Sequence, residues 1–289
     1  MPVLKRAAHL VISAVFYALA CLWDLLLRIR GVRPRRPSVI LYYHVVAPEQ
    51  RARLAAQMDA LLRWAKPVRA DIVGPVDRSV RHAAVTFDDA SETVATNALA
   101  ELQERGIPCT IFAISALLGQ RVNWGKYSDR IMSADELRSL DSSLVTIGSH
   151  TVSHPMLTSL TEAAARLELR GSRAQLERLL QRKVTLVSFP FGAFNEELVD
   201  LCREAGYERV FTTLPASAFQ APAQFTCGRV RVDPTDWPLE FYLKLVGAYR
   251  WRPWAIAMKH KLVGNIRAQR QVRGGVSAVA NADHPRGCR

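Results

Sequence analysis

Paired cysteines are missing from this chain. The five cysteines, Cys21, Cys109, Cys202, Cys227 and Cys288, are scattered, and none belongs to a CxxC pair. Thiolate zinc sites and dithiol redox motifs are therefore not supported. An odd, dispersed set suits a reducing compartment. No internal repeat is visible. Also missing is a basic stripe interleaved with aromatic residues inside the chain. The net charge of +13 would suggest nucleic acid or an anionic surface. Yet the basic residues concentrate at the ends, from Arg28 to Arg36 and from Arg250 onward, and no nucleic-acid partner is expected. No clear small-x-small cleavage site precedes the first group of arginines, which weighs against a cleaved signal peptide.

What is present begins with apolar residues, 49% of the 289 positions. That is enough to build a core and to make global disorder unexpected. The length accommodates one large domain or two small ones. Residues 7–27 are strongly apolar, with Lys5 and Arg6 before them and Arg28 and Arg30 after. The run approaches the roughly 20 residues that cross a bilayer. His9 and Asp24 interrupt it, and a charged Asp is costly in hydrocarbon. A spanning anchor and an interfacial helix both fit, and a soluble helix packed on the following domain is the plain alternative. If the segment spans, Arg28, Arg30, Arg33, Arg35 and Arg36 outweigh Lys5 and Arg6, and the rest of the chain lies in the cytoplasm.

Gly31 to Pro37, rich in Pro and Arg, reads as a boundary. Strands and helices then alternate. Buried strands are expected over 38–44, 83–87, 109–114, 144–147, 184–189, 209–213 and 228–233, where apolar runs are short and rich in β-branched residues. Helices are expected over 50–64, after the cap Ser91 with Val94, Ala98 and Leu102 on one face, and after the cap Asn195. Such alternation implies an α/β fold with a parallel sheet or barrel. The expected organisation is 1–37 as an apolar membrane-associating helix with a basic linker, 38–262 as the main domain, and 263–289 as a basic, disordered tail.

Two short stretches carry candidate chemistry. His150 and His154 lie four apart, a spacing that on a helical turn points both imidazoles at one ion. Two imidazoles and one carboxylate hold a divalent metal and leave a position for water. Asp88 and Asp89 stand side by side at a strand end, where two carboxylates repel unless a cation or proton relieves them. Each stretch alone fits a capping or surface role. Both follow the carboxyl ends of strands, as does the turn Pro190-Phe191-Gly192, and α/β barrels carry their sites at that end.

The order Thr86-Phe87-Asp88-Asp89, Ser149-His150-Thr151-Val152-Ser153-His154-Pro155, Ser188-Phe189-Pro190-Phe191-Gly192 resembles the polysaccharide deacetylase family, the NodB-homology or carbohydrate esterase family 4 domain. The match covers roughly Ser38 to Asp236. It implies a distorted (β/α)7-type barrel, here with an N-terminal apolar helix. It further implies a divalent ion, Zn2+ in most cases, and hydrolysis of an N-acetyl amide on an amino sugar. Carried over by residue, Asp88 is the general base, and Asp89, His150 and His154 are the metal ligands. Pro190, Phe191 and Gly192 border the substrate, with Trp237 and Arg229 as further substrate-binding candidates.

Some positions depart from the family's pattern. No good Leu-x-His motif is found late in the chain to supply the protonating acid, and His260 lies in a basic segment. Leu41-Tyr42-Tyr43-His44 instead resembles the early Tyr-His strand of a circularly permuted subgroup, which makes His44 the acid; a core histidine bonded to backbone is the alternative. Ala90 stands where the family usually has Gly. Ser188 stands where many members carry an arginine that positions the base, and Arg229 or Arg231 could substitute. Asp233-Pro-Thr-Asp236-Trp237 resembles a DxxDW motif whose Trp lines the pocket, or equally a helix cap with a core Trp. Trp124 and Tyr127 could face a sugar or be ordinary loop aromatics.

The expected substrate is an N-acetylated polysaccharide, oligosaccharide or lipid-linked glycan, met at a membrane surface or bilayer through residues 7–27. The cytoplasmic side is expected, with the periplasmic side as alternative. A deformylase acting on a lipid-linked formamido sugar and a catalytically degenerate glycan-binding protein are the competing readings.

Overall fold

The computed structural model describes residues 3–74, 76–123, 128–221 and 224–258. Trp124, Tyr127, His260 and the tail expected over 263–289 lie outside them. Met1–Arg250 form one compact unit. A second unit begins at Trp251, and its residues 252–258 are helical.

The strands of the first unit are β1 (Val39–Tyr43), β2 (Lys66–Pro67), β3 (His82–Phe87), β4 (Cys109–Ala113), β5 (Arg121–Asn123), β6 (Ser128–Arg130), β7 (Val145–Ser149), β8 (Leu186–Ser188), β9 (Arg209–Thr212), β10 (Thr226–Gly228) and β11 (Val230–Arg231). One sheet runs in the order β10-β9-β8-β7-β4-β3-β1-β11, with β2 added beside β3. Its pairings are all parallel. Eight strands thus form a nearly closed barrel, while β5 and β6 make a separate antiparallel ribbon. Val39–Tyr43, His82–Phe87 and Cys109–Ala113 are buried at every position. That is why they read as continuous rather than alternating apolar runs.

The helices are α1 (Val3–Ile29), α2 (Arg51–Trp64), α3 (Glu92–Asn97), α4 (Leu99–Glu104), α5 (Ala134–Ser139), α6 (Glu162–Leu180), α7 (Glu196–Glu204) and α8 (Pro238–Leu245). Their starts follow side-chain chemistry. Ser91 accepts from Thr93 N, Asn195 from Leu198 N, and Ser133 with Glu136 forms a capping box. Helices α2, α6 and α7 each bury a stripe of side chains. On α6 it is Ala165, Leu169, Ser172, Leu176 and Leu180, spaced three and four apart.

Three details differ from the sequence expectation. The single helix expected after Ser91 is broken at Ala98, whose φ of -107° interrupts α3 and α4. The single strand expected over 228–233 is divided between the two edges of the sheet, since Gly228 ends β10 and Val230 opens β11. A Cβ at Gly228 would meet Leu214 O at 2.1 Å, so only glycine fits where the chain crosses. The seam of the barrel is therefore one residue wide, and that residue is Arg229. Finally, α6 was not among the expected helices.

Candidate active site

The chain's two metal-type stretches meet at the carboxyl end of the barrel. Asp88 N continues the β3 ladder by donating to Tyr43 O at 2.9 Å. Asp89 and Ala90 then take φ of +72° and +55°, a left-handed pair that turns the chain sharply. That conformation explains a glycine preference at position 90; alanine adopts it at the cost of about 1 kcal/mol of strain. Opposite, His150 N donates to Ala113 O at 2.8 Å as β7 ends.

The histidines do not share a helical turn. Residues 150–156 form an irregular loop, in which Thr151 and His154 have φ of +69° and +62°. These two reversals fold the loop back and bring the imidazole centroids to 4.8 Å. Glu168 on α6 holds the loop, accepting from Val152 N at 2.8 Å, Ser153 N at 3.0 Å and Ser153 Oγ at 2.7 Å. Thr151 Oγ1 accepts from His154 N at 3.1 Å. Sequence reasoning missed Glu168, since nothing in its helical context marks it.

Asp89 Oδ1 lies 3.5 Å from His150 Nε2 and 3.6 Å from His154 Nε2. These distances exceed hydrogen bonds. They are within a few tenths of an ångström of the spacing of roughly 3.3–3.4 Å between ligands on one tetrahedral ion with bonds of about 2.0–2.1 Å. Asp89 Oδ1 is buried and makes no hydrogen bond. The His150 Nδ1–H group donates to Ser188 O at 2.8 Å, which leaves Nε2 as the lone-pair nitrogen facing Asp89. Burial lowers the pKa of His150 to about 3 and also lowers that of His154, so both rings are neutral, the ligating form. Burial, then the charge of Asp88, pushes Asp89 up to about 8. An orphaned, destabilised carboxylate oxygen facing two neutral imidazoles is a donor set that fits a divalent cation.

Asp88 has the opposite environment. Burial alone would raise its pKa, but the Arg229 guanidinium holds it well below the ordinary carboxylate range. Arg229 donates to Asp88 Oδ1 at 2.7 Å and Oδ2 at 2.8 Å, a bidentate pair. It also bonds Ser188 Oγ at 2.7 Å and Thr86 Oγ1 at 3.1 Å. The arginine many members would carry at position 188 is thus delivered from the seam, against the very serine that replaced it. Arg231 is not the substitute; it lines the cleft.

The cleft above these groups has a volume of about 540 Å³. It is lined by Asp88, Asp89, His150 and His154, with Tyr42, His44, Leu117, Ser153, Phe189, Phe191, Thr213 and Arg231. Tyr42 and His44 share one side of the β1 line, their rings 5.6 Å apart. Among the described residues the His44 ring makes no backbone hydrogen bond, unlike a core histidine. Burial lowers its pKa, opposed by Asp88. Phe191 stands 63% exposed, 4.8 Å from the His154 ring.

Other expected substrate-bordering residues lie elsewhere. Arg229, placed among them from sequence, is wholly buried behind Asp88 and cannot face a substrate. Trp237 is not in the cleft wall; it precedes α8 with the Arg6 guanidinium 4.4 Å over its ring. Neither reading of DxxDW holds fully, since Trp237 is 40% exposed and its side chain caps nothing. Pro190 is buried under the turn, and Gly192 has φ of +68° with Thr213 pressed against its Cα.

Residues 76–210 match the sequence model of the polysaccharide deacetylase family. The chain carries a polysaccharide deacetylase domain. YxkH of Bacillus subtilis (strain 168), a polysaccharide deacetylase by its name, is 23% identical over 216 residues, 71% of this chain and 75% of that protein. Peptidoglycan-N-acetylmuramic acid deacetylase PdaC of the same organism is 30% identical over 124 residues, 43% of this chain but 24% of that protein. Among solved structures, IcaB from Ammonifex degensii superposes with a TM-score of 0.64 at 24% identity, covering 73% of this chain and 97% of that one. The Streptococcus pyogenes deacetylase PplD gives 0.60 at 17% identity, covering 73% and 99%. At these identities the structural likenesses establish the fold. Polysaccharide deacetylases are amide hydrolases acting on glycans, in general with metal dependence, so the chain is classed as an enzyme rather than a binding module.

Proposed function

We propose that this polysaccharide deacetylase removes the N-acetyl group from an amino sugar of a glycan, using a divalent ion held by Asp89, His150 and His154. Zn2+ is the ion we assign, because two imidazoles, one carboxylate and an open position suit it. We place the catalytic domain within residues 38–262. The observation that carries the reading is the contrast between adjacent aspartates. Asp88 is locked as an anion by Arg229, while Asp89 is orphaned between two neutral imidazoles.

Each residue then has a task. A divalent ion held by Asp89, His150 and His154 would supply a Lewis acid toward the amide carbonyl and would lower the pKa of water toward about 7. Asp88 accepts the proton of the attacking water. His44, across the cleft, gives its proton to the departing amine, a role suited to an imidazole. A backbone N–H near Phe191 would stabilise the developing oxyanion. Water and amide become acetate and free amine. Phe191 offers an exposed apolar plane to a sugar ring.

Residues 7–27 associate the domain with a membrane, where a membrane-proximal glycan is within reach. The test is a substrate profile of the Zn2+-loaded protein on UDP-linked, lipid-linked and polymeric N-acetylhexosamines and their N-formyl counterparts. Acetate release is expected. Formate release alone, or stoichiometric metal with no release from any of these, would sink the proposal.

A further inference from the structure

The N-terminal helix keeps most of its polar side chains on its docked side and most of its large apolar ones in the open. Along α1 the docked side carries these polar residues together with Leu10, Ala14 and Tyr17, which pack against the core. Ser13 is fully buried, and Arg6, His9, Tyr17 and Asp24 are half-buried, spaced three, four or seven apart. Arg6 pairs with Glu240 at 2.6 Å and donates to Thr235 O at 2.8 Å. The Tyr17 and Tyr242 hydroxyls bond at 2.8 Å. Asp24 lies within electrostatic reach of Arg250. The opposite face is apolar and open: Val11, Val15, Leu19, Leu22, Trp23 and Leu26 are 44–62% exposed. Water-soluble helices turn their apolar stripe inward. This one leaves most of its large apolar side chains open, over a length of 27 residues.

A bilayer-crossing helix cannot hold this arrangement, because Arg6 and Tyr17 are fastened to the same short helix, α8. About 16 Å of α1 separates them, half a hydrocarbon core, so crossing would draw α8 in as well. Beyond the apolar face, Arg28, Arg30, Arg33 and Arg35 are exposed, a cationic fringe suited to anionic headgroups.

We propose that α1 lies in the plane of an anionic lipid surface, its outer face in the acyl boundary and its polar stripe clamped to the barrel. The helix then belongs to the domain wall rather than to a flexible tether. Thr235 and Trp237, which receive Arg6, lie in the loop leaving the carboxyl end of β11, so that loop is held near the lipid. An in-plane helix has no topology. The charge asymmetry that favoured the cytoplasm therefore gives no side.

This inference rests on the membrane association proposed above but not on the chemistry, so its assay contains no hydrolysis. Single cysteines at Val11, Val15, Leu19, Leu22 and Leu26 are spin-labelled in the full chain carrying Cys21→Ser and Cys288→Ser. The chain is bound to phosphatidylcholine vesicles with and without phosphatidylglycerol. One shallow depth for all five labels is expected, with tighter binding when phosphatidylglycerol is present. A depth profile rising to the bilayer centre and falling again overturns the in-plane assignment. Failure to sediment with either vesicle overturns membrane association itself. A stable lipid-free dimer that shields the labels assigns the face to a second copy and likewise overturns it. Val15→Glu and Leu19→Glu should each weaken vesicle partition about ten- to a hundredfold with unchanged melting temperature. Tyr17→Phe should lower the melting temperature with partition retained.

Discussion

Arg229 grips both carboxylate oxygens of Asp88 from 141 residues away, at the one-residue seam where the barrel nearly closes. The pair is buried, so its two halves depend on each other. Removing one partner of such a pair costs about 3–5 kcal/mol, because the other charge is left desolvated and alone.

Arg229→Met should therefore lower stability by that order and abolish turnover, read by denaturant melts and acetate release. Arg229→Lys should keep part of the stability but lose the bidentate hold, with turnover down at least tenfold. Adding Ser188→Arg to Arg229→Met returns a guanidinium to the position many relatives use. Partial recovery of activity is expected. A wild-type rate for Arg229→Met alone would contradict the positioning role.

The ligand set is tested by metal content. Asp89→Asn and His154→Ala should each lose stoichiometric Zn2+, measured by elemental analysis after dialysis, together with activity. Asp88→Asn should retain the metal and lose about a hundred- to ten-thousandfold in rate. Full metal and activity in both ligand variants would rule the site out.

Metal-free protein should show an inverted pH response at one group. Asp89 has a folded pKa of about 8 against an ordinary value of 3.8. Between those values the native chain binds a proton that the unfolded chain has released, so stability falls as pH rises, by at most about 1.4 kcal/mol per pH unit. The contribution is fully present below the unfolded value and gone above the folded one. Calorimetry of chelator-treated wild type against Asp89→Asn over pH 5 to 8 isolates it: the variant should be flatter. Zn2+ binding near neutral pH should release a proton, seen as buffer-dependent binding heat.

His44 has its pKa lowered by burial. As the acid it must be protonated, so the kcat/KM profile should fall on its alkaline side as pH rises through that lowered value. His44→Ala should remove this limb and cost on the order of a hundredfold, with metal content unchanged. An unaltered alkaline limb would assign the proton to another group.

Gly192→Ala tests the turn that presents Phe191. The backbone there is left-handed, φ +68°, and an added Cβ would meet Thr213 Oγ1 at 1.9 Å. The variant should keep its metal but raise KM and lower kcat, about tenfold together. Pairing it with Thr213→Ala should recover little, since the φ remains unfavourable.

The barrel and the four-residue core of the site were legible in the chain because they rest on local pattern. Val39–Tyr43 and His82–Phe87 are buried on both sides, so they read as unbroken apolar runs. Ser91 and Asn195 cap their helices through their own side chains. By contrast α6 was hidden, since its buried stripe is diluted by Arg166, Glu168, Arg170 and Arg173. The split of 228–233 was hidden too, because one run of residues serves two sheet edges.

By itself the sequence determined the residue types of the site, their order at strand ends, and an apolar N-terminal helix. These follow from period, propensity and motif, which are short-range. Only the tertiary structure decided that Arg229 rather than Arg231 holds Asp88, that Trp237 stands away from the cleft, and that α1 docks by the side that carries its polar residues. Each of these depends on which distant groups share a buried space. There an unpaired charge costs several kcal/mol, and such pairings are set by barrel closure, not by neighbours in the chain.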